Sequence, residues 1–459
     1  MEVTLEEMLA AREQRAARQQ RLLAQYRKTL ISFTLNIPGP VKTAPDIVRV
    51  FGEGLAALDH RLPRGSVLYR SAQTPFTGCQ AFYVVDHDPQ AVKKICMGIE
   101  EGSPLGRLFD MDVLTPEGVK LDRPAVRGCI VCGAPGRDCA ARRLHSVAQL
   151  QKAVHGIVEA HFASADGQRI ASLAVRSLLD EVATTPKPGL VDRANTGSHR
   201  DMDIFTFNAS AAALYPYFLR CFELGRAGRE QPGEALFEAL REAGLQAEVQ
   251  MYAATWGVNT HKGIIYTLGI LCGAWGRLWA AAQPFPGSQA LGETCGVLAA
   301  VSAAEDLRRI AEEGAADTAG ARLYRSQGLT GIRGEAAAGL PSVTRWALPA
   351  YRQALAGGRS RNDAGAAALI HLIAHVDDTN LYHRGGCAGA LWAAQAAREL
   401  LDRSPLPTPA EIARLDEEFI RRDLSPGGCA DLLAVTYFLD GADELRAAAQ
   451  GQEDIKKED

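Results

Sequence analysis

No apolar run in this sequence is long enough to read as a membrane span, because the longest candidates are broken by Gly, Trp or Arg. An excess of one charge is missing too. Lys and Arg number 50 against 54 Asp and Glu, a formal net charge of -4. No global basic field therefore argues for nucleic acid or an anionic membrane as partner. The opening MEVTLEEMLAAREQRAARQQRLLAQY is charged and helix-forming, without the apolar core of a signal peptide. Ten cysteines in such a chain are expected to be reduced thiols in the cytoplasm. Cys79, Cys96, Cys221, Cys272, Cys295 and Cys387 stand singly, mostly among apolar neighbours, and are expected in the core. Strand-like runs are also lacking beyond about residue 165, where Ala, Leu and Gly dominate and apolar positions recur at three and four. That half should be helical, with polar loops between helices.

What is present begins with a polar helix over 2–30, with Leu5, Leu9, Leu22, Leu23 and Tyr26 as its buried positions. TLISFTLNIPGPVK reads as a strand closed by Pro38-Gly39-Pro40. A helix follows at about 44–61, then LYRSAQTPFTGCQ as a polar loop, a strand at 80–85, a helix from Pro89 to Glu101 and a strand in RLFDMDVLT. Strand, helix and strand with local pairing imply an α/β or α+β domain. Asp110 and Asp112 alternate on the last strand and so share a face. Two carboxylates on one face can hold Mg²⁺ against phosphates, although a short D-x-D pattern is not specific. Asp88, before a proline, reads as a helix N-cap. Cys129, Cys132, Cys139 and His145 have the ligand count and spacing of a zinc site; the alternative is a thiol-lined turn. A helix over 147–162 leads to SADGQ at 164–168, which reads as a linker.

The chemistry of the second half concentrates in loops. An apolar helix at 170–182 is stopped by Pro186, Pro188 and Gly189. Lys187, Asp192, Arg193, Asn195, His199, Asp201 and Asp203 follow, a mixture of cations and carboxylates suited to a magnesium-bound polyphosphate. His261 and Lys262 open a Gly-rich helix, where backbone amides can cradle phosphate. Arg333-Gly334-Glu335 and Ser342 form another polar block. His371, His375 and Asp378 share one face if their segment is helical. Ser425, Gly427, Gly428 and Asp431 open a final apolar helix, where the plain role of Asp431 is to favour the helix dipole.

Taken together, TPKPGLVDRANTGSHRDMD, VNTHKG, RGEAAAGLPSV, DDTNLYHRGG and SPGGCADLLAVTYF, over about 170–440, resemble the triphosphoribosyl-dephospho-CoA synthase family. SFTLNIPGPVK, GRLFDMDV and CIVCGAPGRDCAARRLHS, over about 15–163, resemble apo-citrate lyase phosphoribosyl-dephospho-CoA transferase. A fusion of the two is implied. Residues 1–163 would be an α/β (α+β), nucleotidyltransferase-like domain and 164–168 a linker. Residues 169–449 would be an all-α helical bundle, and 450–459 a charged, disordered tail. Asp377 departs from the glutamate expected there, which favours Asp378 for any shared role.

The resemblance implies two reactions. In the helical half, ATP and 3'-dephospho-CoA would give 2'-(5''-triphosphoribosyl)-3'-dephospho-CoA and adenine, through an oxocarbenium-like state that carboxylates stabilise. In the other half, a serine of the apo acyl carrier subunit, the γ chain of citrate lyase, would attack the α-phosphorus with release of diphosphate. Asp201, Asp203, Asp378 and Asp431 are then assigned to Mg²⁺ or to the ribosyl cation. Lys187, Arg193, Lys262 and Arg384 are assigned to phosphates, and His199 or His261 to acid–base work. Asp192, Asn195, Asn380, Gly385, Gly386, Gly427 and Gly428 complete the expected nucleotide site. Asp110 and Asp112 are expected to hold Mg²⁺ for the second step, with Lys42, Arg70 and Arg107 as phosphate contacts. Two alternatives stay open: the same pair of activities for malonate decarboxylase, and a magnesium-dependent helical hydrolase of ADP-ribosyl bonds with a carrier-binding N-terminal module.

Overall fold

The computed structural model describes residues 1–312 and 328–454. They divide into two compact units, Met1–Ala165 with Ala280–Pro284, and Asp166–Trp279 with Phe285–Ala448. The chain is mostly helical, with one small antiparallel sheet in the first unit.

That sheet has four strands, β1 (Thr29–Leu35), β2 (Val67–Gln73), β3 (Gln80–Val85) and β4 (Phe109–Leu114), in the order β2-β3-β1-β4. Alternation along β1 sends Ile31 and Phe33 to one face, and Leu30, Ser32 and Thr34 to the other. The first face packs under helix Pro45–Arg61, where Phe33 stacks on Phe51 at 5.0 Å. Gly54 makes this approach feasible, since a Cβ there would run into the Phe33 ring. The second face is crossed by the N-terminal helix Leu5–Tyr26. Its Leu22 joins Leu30, Phe82, Val84 and Leu114 in a buried cluster, and Arg18 bonds Tyr69, Ser71 and Gln73. Ser32 pairs with Asp112 and Thr34 with Asp110, so the acid pair lies on this helix-covered face.

Several expectations are corrected. Residues 67–73 form a strand rather than a loop: β2 is a sheet edge, half exposed and therefore polar, which hides its period. Leu5 and Leu9 are 78% and 49% exposed, because only the last turns of their helix reach the sheet. SADGQ is helical, inside a helix that runs Val147–Ala183. Its polarity is used internally: Asp166 is buried and accepts from Trp279 Nε1 at 2.8 Å, and a Cβ on Gly167 would press on the Phe222 ring. Cys387 is exposed. Residues 450–454 continue the last helix, and the remainder of the expected tail lies outside the described residues.

In the second unit no strand occurs among the described residues. The Lys262–Leu278 helix sits against Tyr215–Ala227 along a glycine seam. A Cβ at Gly225 would meet the Gly273 carbonyl, one at Gly276 the Phe222 carbonyl, and one at Gly269 the Tyr217 hydroxyl. Small residues at this spacing let two helix backbones touch, and the contact fixes where His261, Lys262 and Gly263 stand. The expected face shared by His371, His375 and Asp378 does not form. The Arg361–His375 helix stops before Val376, whose backbone is extended, and Asp378 instead caps the next helix, Thr379–Arg403.

Candidate active site

A cavity of about 950 Å³ opens in the second unit where the polar loops and helix starts converge. It is of a size to take a large cofactor-like substrate. Glu181, Lys187, His199, Asp201, Asn259, Thr260, His261, Lys262, Gly263, Glu335, Asp378, Asn380, Arg384, Gly427, Gly428 and Asp431 line it.

Its acidic side is built by helix ends. Asp378 is buried, and one carboxylate oxygen accepts from the amide of Asn380 at 2.8 Å, capping its own helix. The other oxygen accepts from the Cys429 amide at 2.8 Å, in the first turn of the Gly427–Asp454 helix. Gly428 leaves room for that carboxylate, and Gly427 for the Asn380 amide. Asp431, further along the same turn, lies over Gly263, where a Cβ would strike its carboxylate. Among the described residues Asp431 makes no hydrogen bond or ion pair. Burial pushes its carboxyl well above the ordinary range, and Glu181 and Asp378 push it further. Asp378 is also raised, by burial, against the lowering effect of its amide donors.

Glu181 was not anticipated from the sequence. It ends an apolar helix, and Lys187, six residues on and 1% exposed, contacts its carboxylate through Nζ and donates to its carbonyl at 2.8 Å. An acid within an apolar run, followed by a lysine past a proline break, was the available signal. Lys187 thus balances a buried charge at the cavity wall. Lys262 is likewise engaged, with Nζ 2.8 Å from Glu248.

The imidazoles differ in state. Arg384 donates to His199 Nδ1 at 3.3 Å, so Nε2 carries the proton and donates to Ser425 Oγ at 2.9 Å. Burial, then Arg384, lowers the His199 pKa. His261 is buried, and burial pushes it down to about 3, helped by Lys187. Thr260 donates to Ser210 at 2.8 Å, and the Ser210 hydroxyl lies 2.6 Å from His261 Nδ1. That chain leaves the proton on Nε2, which has no hydrogen-bond partner among the described residues. His375 stacks on Trp346 at 3.9 Å, whereas His371 bonds the Pro405 carbonyl and lies off the cavity.

Other expected residues stand elsewhere. Asp203 does not line the cavity; it caps Ile204–Ala213, accepting from the Thr206 amide at 2.9 Å and hydroxyl at 2.8 Å. Asp192 is buried and spent on the amides of Lys187, Ala194 and Asn195. Asn195 donates to Asp416 at 3.0 Å, and Arg193 turns away to Asn362 at 2.8 Å. These three hold the loop's shape. Gly385 gives way to Leu424, and Gly386, with φ 61°, kinks the helix; neither lines the cavity.

In the first unit, Asp110 and Asp112 do share a face. Lys120 contacts Asp112 at 2.7 Å, Thr34 donates to Asp110 at 3.5 Å, and both carboxylates act on Arg15 of the N-terminal helix. Desolvation, then Asp112, raises the Asp110 carboxyl. Arg70 is tied to Asp59 at 3.2 Å, Lys42 to the Ile37 carbonyl at 2.5 Å, and Arg107 to the Gly128 carbonyl. Their expected phosphate contacts would require those bonds to be exchanged. Cys129, Cys132, Cys139 and His145 bring their ligand atoms within 4.8 Å of one another.

Comparison with known proteins separates the same two regions. Residues 167–450 match the family model for ATP:dephospho-CoA triphosphoribosyl transferase. Residues 3–161 match that for apo-citrate lyase phosphoribosyl-dephospho-CoA transferase. Protein CitXG of Haemophilus influenzae is 35% identical over 458 residues, 95% of this chain and 96% of its own length. The probable 2-(5''-triphosphoribosyl)-3'-dephosphocoenzyme-A synthase of Albidiferax ferrireducens is 44% identical over 61% of this chain and 92% of its own. A protein of the same name in Citrobacter koseri is 43% identical over 59% of this chain and 89% of its own.

Proposed function

The chain belongs to the CitXG family, and from that premise we propose that its helical region makes the citrate lyase prosthetic group and its sheet region attaches it. The protein is a transferase of both kinds: it synthesises the group and transfers it. The finer assignment is ours. The 2'-hydroxyl of 3'-dephospho-CoA attacks the anomeric carbon of the ATP ribose in the 950 Å³ cavity. A C–O bond forms as the C–N bond to adenine breaks, and the hydroxyl proton is the one adenine carries away.

The observation that carries this reading is the unpartnered Asp431 carboxylate, set over Gly263 with Asp378 and Glu181 acting on it. Uncompensated negative charge is costly inside protein, and is suited to a cationic ligand or a developing ribosyl cation. The oxygen donors fit magnesium: Asp431 and Asp378, with Asp201 at the rim, would hold the ion. Bound there, it would neutralise the triphosphate, which passes through the reaction intact. Lys262, on exchanging its Glu248 partner for phosphate, would join the amides that open its helix and the Gly427–Asp454 helix in holding the triphosphate. The neutral His261 offers its Nε2 proton to the substrate as a hydrogen-bond donor, a role that suits its low pKa better than that of a base. An Arg384–His199–Ser425 chain holds the rim in shape.

For attachment, the serine oxygen of the apo carrier attacks the α-phosphorus and diphosphate leaves. Asp110 and Asp112 would hold magnesium for that transfer, beside Arg15 and Lys120. The test is chromatographic: the protein, ATP, dephospho-CoA and Mg²⁺ are incubated and free adenine is measured. Adenine that appears only with dephospho-CoA, together with a heavier CoA product, is expected. Adenine released without dephospho-CoA, with free ribose triphosphate, would make the region a hydrolase instead.

A further inference from the structure

We infer that Cys129, Cys132, Cys139 and His145 form a structural zinc site that holds the segment after β4. The side chains are of the right kind and number for a closed tetrahedral site. Cys132 Sγ lies 3.5 Å from Cys139 Sγ and 3.3 Å from His145 Nε2, and all four ligand atoms fall within 4.8 Å of one another. With Zn–S near 2.3 Å and Zn–N near 2.0 Å, a tetrahedron has S–S edges of about 3.8 Å and S–N edges of about 3.5 Å. The cluster is therefore already close to coordination size.

The backbone is shaped for it. Cys129-Ile130-Val131-Cys132-Gly133 makes a tight turn in which the Gly133 amide donates to the Cys129 carbonyl at 2.9 Å. Gly133 takes φ 75°, the left-handed region that glycine enters without penalty. The turn aims the Val131 amide at Cys129 Sγ, 3.4 Å away, as a thiolate ligand requires. The Cys129 amide bonds the Ala134 carbonyl at 2.6 Å, and Gly128 bridges Pro135, so the first ligand pair sits on a closed hairpin. The short helix Gly136–Ala141 then presents Cys139. Arg143, at φ 49°, reverses the chain so that His145 returns to the sulfurs.

The strongest argument is what the segment lacks. From 115 to 146 the one buried side chain is Cys139, while Val119, Val126, Val131 and Leu144 are all exposed. A stretch with so little core needs another cross-link to keep a defined shape. Its side-chain anchors into the body of the unit around β4 include Lys120, 2.7 Å from Asp112, Arg123, which pairs with Glu100 and, at 2.9 Å, with Glu101, and Arg127, which donates to the carbonyls of Phe109 and Gly106 at 2.7 Å. The zinc would fix the chain that follows Lys120, Arg123 and Arg127, and so keep those side chains beside the strand that carries Asp110 and Asp112.

The full-length protein, purified under reducing conditions without added metal, is measured for metal by mass spectrometry. About one zinc per chain is expected, and cobalt in its place should give the absorption of a tetrahedral thiolate site. Cys132→Ser and Cys139→Ser should lose the zinc, whereas His145→Cys should keep it. In the serine variants carrier labelling should fall at least about tenfold, with dephospho-CoA-dependent adenine release within about twofold of the parent as proof that the rest of the chain is folded. Zinc absent from the parent after equimolar reconstitution, zinc retained in both serine variants, or a Cys132–Cys139 disulfide trapped by alkylation would each overturn the inference.

Discussion

At the scale of single residues, Asp431 and Asp203 make opposite predictions although the resemblance assigns both to Mg²⁺ or to the ribosyl cation. Asp431→Asn should reduce adenine release by at least about a hundredfold, the scale of losing an electrostatic group that acts on the transition state. It should also raise the unfolding temperature of the ligand-free protein, because burial, then Glu181 and Asp378, disfavours the ionised form of the carboxyl that asparagine replaces. Chromatography of free adenine checks the first and thermal shift with and without Mg²⁺ the second, and an unchanged magnesium response would remove Asp431 from the metal. Asp203→Asn should leave adenine release nearly intact, since asparagine caps a helix almost as well as aspartate. Asp203→Ala should cost about 1 kcal/mol. His261 supplies the pH dependence. Its folded pKa of about 3 lies below the ordinary 6.5, so the unfolded chain binds the extra proton between those values. Stability is complete above about pH 6.5 and falls by up to about 1.4 kcal/mol per unit as pH drops toward 3. His261→Gln should flatten that slope relative to the parent in denaturant titrations. A slope identical in both proteins would refute the assignment.

At the scale of elements, the seam between Tyr215–Ala227 and Lys262–Leu278 is the feature most sensitive to one methyl group. Gly225→Ala drives a Cβ into the Gly273 carbonyl, and it should destabilise by about 1–3 kcal/mol. Because that seam positions Gly263 under Asp431, adenine release should fall with it, measurable at a temperature where the variant is still folded. The same elements explain how far the sequence could be read. Helices with an unbroken apolar period, such as Pro45–Arg61 and Pro89–Glu101, were legible, as were β1, β3 and β4 and the shared face of Asp110 and Asp112. β2 was not, because an edge strand need not alternate. Asp166 was not, because a buried acid bonded to a tryptophan looks, in one dimension, like a loop residue. The loops that line the cavity were legible as loops. The division of labour within them was not: Asp192, Asn195 and Asp203 hold backbone while Asp378 and Asp431 face the cavity. Composition is blind to which carboxylate meets an amide. Glu181 escaped for a related reason, since its partner Lys187 lies past a proline break.

At the scale of the whole molecule, the two proposed chemistries draw on different side chains, so they should be separable. Asp431→Asn should still label the carrier when supplied with the triphosphoribosyl intermediate, and Asp112→Ala should release adenine normally while failing to label. Mixing the two variants should restore the full sequence of reactions if the intermediate is free to diffuse. Loss of both activities in either variant would contradict the division. The Asp378 carboxylate adds a further consequence. One oxygen holds the amide of Asn380 and the other that of Cys429, so a single side chain fastens two helix starts and also borders the substrate. Any cation that draws on those oxygens weakens their hold on two peptide protons. The resonances and deuterium uptake of these amides should therefore act as an internal gauge of occupancy, readable without a label, a coupled assay or turnover.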